Sequence, residues 1–218
     1  MKKLSVIIIL FVLLFGCAGI PVRQALDEDI GIPPGEIERN QFIGIRYSFN
    51  VSAPPNWKMT VEFPDFMEEL GYDKPFSTDK EQTELYAYNP RTRSNITFDF
   101  TPAGRYTRFS QKRIESLTGS VTKNVVSELE KERRLGVDNI YVGPTEPLPL
   151  KGVQYAAKKF VTYTINGAKR ETGWIYGFTE PYQIFILYMI LEGDGASDLQ
   201  DMKQILDSFA LKRNVSSR

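Results

Sequence analysis

Apolar and polar positions alternate along much of this chain. Within residues 43–51, Ile43, Ile45, Tyr47, Phe49 and Val51 alternate with Gly44, Arg46, Ser48 and Asn50. That period of two predicts a half-buried strand. Pro54-Pro55-Asn56 predicts a turn, after which Trp57, Met59, Val61 and Phe63 alternate until Pro64. Residues 66–70 read as a short helical turn and residues 71–83 as a polar loop. A short strand over 85–88 ends at Asn89-Pro90, and Ile96, Phe98 and Phe100 alternate with Thr97 and Asp99 in the next strand.

The period then changes. Ile114, Leu117, Val121, Val125 and Leu129 recur every three or four residues, the stripe of an amphipathic helix. Ser110 is its expected N-cap, and Arg133, Arg134 and Gly136 mark its end. Gly119 is a weak point where it can divide in two. Alternation returns over 153–165, followed by Asn166-Gly167, the strongest short hairpin signal. Residues 169–178 form the returning strand, and Glu180-Pro181 turns again. Residues 182–191 are apolar in both phases: Ile184, Ile186, Tyr188 and Ile190 on one side, Phe185, Leu187, Met189 and Leu191 on the other. Such a strand must be covered on both faces. The last helix is expected to start at Ser197 with Gln200 completing a capping box, and buries Leu199, Met202, Ile205, Leu206 and Phe209. Short turns make this sheet mostly antiparallel. One doubly buried strand and two helices far apart in sequence predict helices on opposite faces. The expected fold is a three-layer α/β/α sandwich of the α/β (α+β) class.

The N-terminus has a different pattern. Lys2 and Lys3 precede twelve apolar or small residues, Leu4 to Phe15, and then Gly16-Cys17. That run is too short for a spanning helix, which takes ~20 residues, and has the layout of a secretory signal. Leu14-Phe15-Gly16-Cys17 resembles a bacterial lipobox. The resemblance implies cleavage between Gly16 and Cys17, acylation of the Cys17 thiol, and anchorage in a lipid bilayer, because two or more acyl chains hold stably. Ala18 in place of an aspartate favours the outer membrane, with the domain facing the periplasm. The expected organisation is a signal peptide over 1–16, a lipidated tether over 17–40, one domain over 41–213 and a tail over 214–218. A tether of that length has an rms span of roughly 25 Å.

Composition narrows the chemistry. Loss of Lys2 and Lys3 leaves 25 Lys+Arg against 27 Asp+Glu, a net of −2, so no charge excess points to nucleic acid. The single cysteine permits no intrachain disulfide. The absence of histidine removes Ser-His-Asp and Cys-His catalysis and histidine-bound metals. No cofactor is implied.

Several short pieces resemble the PsbP/Mog1-like family: Tyr47-Ser48-Phe49 leading to Pro54-Pro55-Asn56-Trp57, Tyr88-Asn89-Pro90 before Ser94-Asn95-Ile96, the Asn166-Gly167 hairpin, the apolar strand over 184–191, and Ile205-Leu206-Asp207-Ser208-Phe209. The resemblance spans about residues 42–212. It implies an α/β/α sandwich that serves as a binding or assembly module, with no catalytic set to carry over. Histidine-dependent metal sites of some members have no counterpart here.

Candidate sites follow from residue chemistry. Arg91, Arg93, Arg105 and Arg108 flank the strand over 95–100 and carry the chemistry for an anion or acidic partner; a solvated strand-end rim is the simpler account. Asp65, Glu68 and Glu69 offer hard oxygens for calcium, but an acidic first helical turn explains them better. Trp57 and Trp174 fall in phase with apolar neighbours and read as core. The charges over 128–134 read as a solvated helix face with pairs such as Glu130–Arg134. The expected function is therefore an envelope-anchored, non-catalytic module for an envelope protein partner. The alternatives are a carrier of a small apolar ligand or lipid, and an envelope enzyme using carboxylate or Lys/Tyr chemistry. Cys17→Ser is expected to move the protein out of the membrane fraction or leave it unprocessed. Fractionation and migration identical to wild type would refute the lipidation.

Overall fold

The computed structural model describes residues 31–72, 83–103, 108–191 and 197–212. Cys17, Arg105 and most of the expected loop over 71–83 lie outside them. Residues 33–218 belong to one unit. Its elements are β1 (Gly35–Glu38), β2 (Gln41–Gly44), β3 (Phe49–Ser52), β4 (Lys58–Thr60), α1 (Phe66–Glu69), β5 (Thr83–Tyr88), β6 (Asn95–Pro102), α2 (Gln111–Ser120), α3 (Thr122–Lys131), a 3₁₀ turn (Glu132–Leu135), β7 (Val137–Val142), β8 (Glu146–Pro147), β9 (Tyr155–Ile165), β10 (Ala168–Thr179), β11 (Tyr182–Leu191), α4 (Asp198–Ser208) and β12 (Ala210–Leu211). No helix among the described residues is long and apolar enough to cross a membrane.

The large sheet runs β4-β5-β6-β11-β10-β9-β7, with β8 also on β9, and every pairing is antiparallel. Asn166 (φ 51°) and Gly167 (φ 84°) close the β9–β10 hairpin between Ile165 and Ala168. Positive φ at both turn positions is what this tight turn requires.

Successive residues of a strand point to opposite faces, and two cores use this. On one face, Ile184, Ile186 and Ile190 of β11 join Phe98 and Phe100 of β6, Phe42, Phe49 and Val51 of the N-terminal strands, and Met202, Ile205 and Phe209 from α4 and just beyond it. The Phe209 ring stacks 5.7 Å from Phe49 and 6.0 Å from Phe98. On the other face, Val161, Tyr163 and Trp174 pack with Val121, Val125 and Leu129 of the α2–α3 pair, while Phe185 and Leu187 are partly buried there. The Trp174 indole N–H donates to the Thr118 carbonyl at 2.7 Å. Ile114, Ala157 and Phe178 extend the same side. The helices lie on opposite faces, as the doubly apolar strand requires. Its second row is less covered than its first: Phe185, Leu187 and Met189 are only half-buried.

The helix pair begins as expected, with Ser110 Oγ accepting from the Arg113 N–H, and ends at left-handed Gly136 (φ 92°). Its break falls at Val121, two residues after Gly119.

Other expectations need correction. The alternation over 43–51 is not one strand. The chain bends between β2 and β3 and the inward phase changes there: Phe42 is fully buried while Ile43 and Ile45 are exposed. Tyr47 drives the bend, because its ring stacks 4.9 Å from Phe100 and meets Tyr182 edge-on. These strands form a separate sheet, β1-β2-β3-β12. β1 pairs with β2 from within residues 17–40, the stretch expected to be tether. The alternation over 57–63 yields only the three residues of β4. The capping box at α4 is not formed, since the Ser197 side chain caps nothing; the Gln200 and Asp201 N–H groups donate to its carbonyl instead.

The change of phase is testable by urea denaturation. Phe42→Ala is expected to cost about 3–5 kcal/mol, and Ile43→Ala to stay within about 0.5 kcal/mol, as exposed positions do.

Candidate functional site

The face of the large sheet that carries α2 and α3 is not evenly covered. The helix pair packs on β9 and β10, and α1 brings Phe66 to 5.0 Å from the Tyr88 ring of β5. On β6, the residues facing this side are Asn95, Thr97, Asp99 and Thr101. Their β11 partners are Met189, Leu187, Phe185 and Gln183. A polar row thus runs beside a mainly apolar one. Toward the Thr101–Gln183 end a cleft of about 450 Å³ opens, lined among the described residues by Thr83, Asp99, Thr101, Tyr176, Gln183, Ile184 and Phe185. The Tyr176 and Phe185 rings lie 4.8 Å apart, tilted by 48°. The described lining offers one carboxylate, three hydroxyls counting that of Tyr176, a primary amide and two aromatic rings. Such a set has the chemistry for hydrogen bonds and ring contacts. Among the described residues this lining holds a single carboxylate and mixes polar with aromatic groups.

At the other end of the row, the Tyr72 hydroxyl donates to Asn95 Oδ1 at 2.9 Å, and Asn95 Nδ2 donates to the Arg93 carbonyl at 3.0 Å. Burial, with Tyr163 and Asp99 nearby, raises the Tyr72 pKa above the ordinary tyrosine range. Burial also raises Tyr86, partly offset by its bond with Thr83. On the opposite face, burial raises Tyr188, with Glu171 adding to the effect; the Tyr188 hydroxyl donates to Glu171 Oε1 at 2.8 Å.

The loops beside these strands are held by α4. Asp198, 1% exposed, accepts from Asn89 Nδ2 at 2.9 Å and from the Thr92 and Ser94 hydroxyls. Asp201 accepts from Asn56 Nδ2 at 2.7 Å and from the Trp57 indole N–H at 3.0 Å. Each buried carboxylate is met by neutral donors, as burial of a charge demands.

The structure separates the arginines. Arg91 and Arg93 sit in the β5–β6 turn, and Arg108 lies past the far end of β6. Eight residues of strand divide them, roughly 24 Å at 3.4 Å per residue. Arg93 pairs with Glu69 at 2.5 Å, both exposed. Those parts of the set do not converge on one site. Glu69 is thereby engaged, and among the described residues no cluster of three candidate metal-binding side chains occurs. Trp57 and Trp174 are core residues, as expected. On α3 the observed pairs are Glu128–Lys131 and Glu130–Arg133 rather than Glu130–Arg134. The lining residues Thr83, Asp99, Thr101 and Gln183 were not foreseen. They occupy the polar phase of their strands, where a sequence reads solvent.

No family model matches the sequence, and no curated protein matches it. The solution structure of cyanobacterial PsbP (CyanoP) from Synechocystis sp. PCC 6803 is similar over 84% of this chain and 95% of that one, with 9% identity and a TM-score of 0.50. The fold is PsbP-like. Two other solved structures are more distant. A Bacteroides thetaiotaomicron VPI-5482 protein has 10% identity and a TM-score of 0.43, over 82% of this chain and 50% of that one. LpqN, involved in cell envelope biogenesis of Mycobacterium tuberculosis, has 10% identity and a TM-score of 0.46, over 82% and 86%. Within the PsbP-like fold, two of the short motifs have a visible task. Asn56-Trp57 and the 89–94 turn are the segments bound to Asp201 and Asp198.

The raised tyrosines predict alkaline sensitivity. The unfolded chain ionises its tyrosines near pH ~10, while the folded chain keeps Tyr72 and Tyr188 neutral. Above that pH the folded state binds more protons, so stability falls as pH rises. Urea midpoints compared at about pH 8 and pH 11 are expected to show a smaller drop for Tyr188→Phe than for wild type. At the lower pH this variant should be less stable by about 0.5–1.5 kcal/mol, from loss of the bond to Glu171.

Proposed function

We propose that this protein is a lipid-anchored, non-catalytic binding module of a bacterial cell envelope, held through acylated Cys17 in the outer membrane and facing the periplasm. It binds an envelope protein partner, and the cleft between β6 and β11 receives a segment of that partner. The observation that carries this reading is the cleft's split lining: hydroxyl, carboxylate and amide groups beside the Tyr176–Phe185 ring pair. An amphipathic segment meets such a surface with polar groups on one edge and apolar side chains on the other. The lipobox supports the anchor, and the PsbP-like fold agrees with a module that works by contact. Anchorage raises the effective concentration of the domain near other envelope proteins.

A photo-crosslinking amino acid at Gln183 or Phe185, activated in intact cells, is expected to give one reproducible protein adduct that weakens with Asp99→Ala and Tyr176→Ala. The same probe at Lys203 of α4 should not give it. No adduct at either cleft position, or the same adduct from both faces, removes the proposal.

A further inference from the structure

The large sheet ends in two edges, and they differ. β4 is only three residues long, a common way of blunting an edge. The β1 edge of the small sheet carries exposed Glu36 and Glu38. The β7 edge instead gathers exposed apolar side chains: Leu135 just before the strand is 70% exposed, Tyr141 58% and Val142 37%. An edge of this kind accepts another strand.

The register with β9 suggests which strand. Val137 and Asp138 oppose Ile165 and Thr164, then Tyr141 and Val142 oppose Thr162 and Val161, with the register shifting in between. Because of that bulge, Asp138 and Tyr141 face the same side of the sheet, and Val137 and Val142 face the other. We infer that β7 is a self-association edge, at which a second copy of this chain adds its own β7 antiparallel about a two-fold axis between Asn139 and Ile140.

Only some registers keep matching faces together. About this axis, Val137 of each copy meets Val142 of the other, and Asp138 meets Tyr141. A slip of one residue would set side chains of opposite faces against each other. The two bulges meet at the axis, so the paired residues on either side stay in step. Charges agree with the same arrangement. Arg133 and Arg134 precede the strand and Glu146 follows it, all exposed. The two-fold operation carries Arg134 of one copy toward Glu146 of the other, while Arg133 also lies 3.8 Å from Glu130 and 4.0 Å from Asp138 of its own chain. Such an interface is isologous and closed. It is smaller than a standard protein–protein interface, so association depends on concentration.

Sedimentation of the full-length protein in mild detergent tests this independently of the cleft. The mass is expected to rise toward twice that of one chain with concentration, and Tyr141→Lys/Val142→Lys to hold it at one chain with an unchanged circular dichroism spectrum. Arg133→Glu/Arg134→Glu should weaken association by about tenfold, and added Glu146→Lys should restore it. On mild oxidation, mixed Asp138→Cys and Tyr141→Cys copies should crosslink far more than either alone. A single-chain mass at every concentration, or a dimer indifferent to the Tyr141/Val142 change, overturns the inference. Equal crosslinking of the unmixed copies overturns the register.

Discussion

Two carboxylates in the first turn of α4 organise much of this domain. Asp198 and Asp201 are buried, and each is surrounded by neutral donors drawn from turns more than a hundred residues earlier. A buried charge left without donors is costly, so these bonds specify position as well as adding energy. They set where α4 lies on the sheet, and with it where Met202, Ile205 and Phe209 meet Phe49 and Phe98. A second charged contact has the same character. Arg46 donates to Glu84 at 2.8 Å with both side chains buried, joining the β2–β3 bend to strand β5 of the large sheet. A chain without an intrachain disulfide is held by packing and by these few enclosed polar links.

Legibility of the fold followed the strength of local signals. The β9–β10 hairpin, the doubly apolar β11 and the helix pair were readable because their periods are long and their turns chemically distinct. The N-terminal strands misled because Ile43 and Ile45 continue an alternation that the bend at Tyr47 interrupts, and a tertiary ring contact decided the outcome. β7 left little trace, since its bulge spoils the period and Asn139 adopts a positive φ of 53°. β12 is two residues long, below what any pattern reveals.

The candidate cleft was harder to see for a related reason. Asp99, Thr101 and Gln183 belong to the polar phase of their strands, the same phase that elsewhere faces water. What makes them a lining is their place beside Tyr176 and Phe185 at the border of the α2–α3 cover, which no local window contains. The arginines show the converse relation, and the exposed Arg91, Arg93 and Arg108 fit the strand-end rim. Arg91, Arg93 and Arg108 are close in sequence, but an extended strand converts a short separation in sequence into a long one in space. Asp198 and Asp201 drew no reading from the sequence, because the donors that bury them come from distant turns.

The small sheet joins the two ends of the domain: β3 pairs with β12, and Ser52 shares hydrogen bonds with Ser208 across 156 residues of chain. The three long strands β9 to β11 meet through tight local turns, whereas this closure joins residues 156 positions apart. Closing so long a loop carries an entropic cost that local hairpins avoid. A chain emerging from its N-terminus therefore holds β1, β2 and β3 without their last partner until its final residues appear. Completion of the hydrophobic layer around Phe49 and Phe209 is a late event, and loss of β12 would leave that side of β3 unpaired.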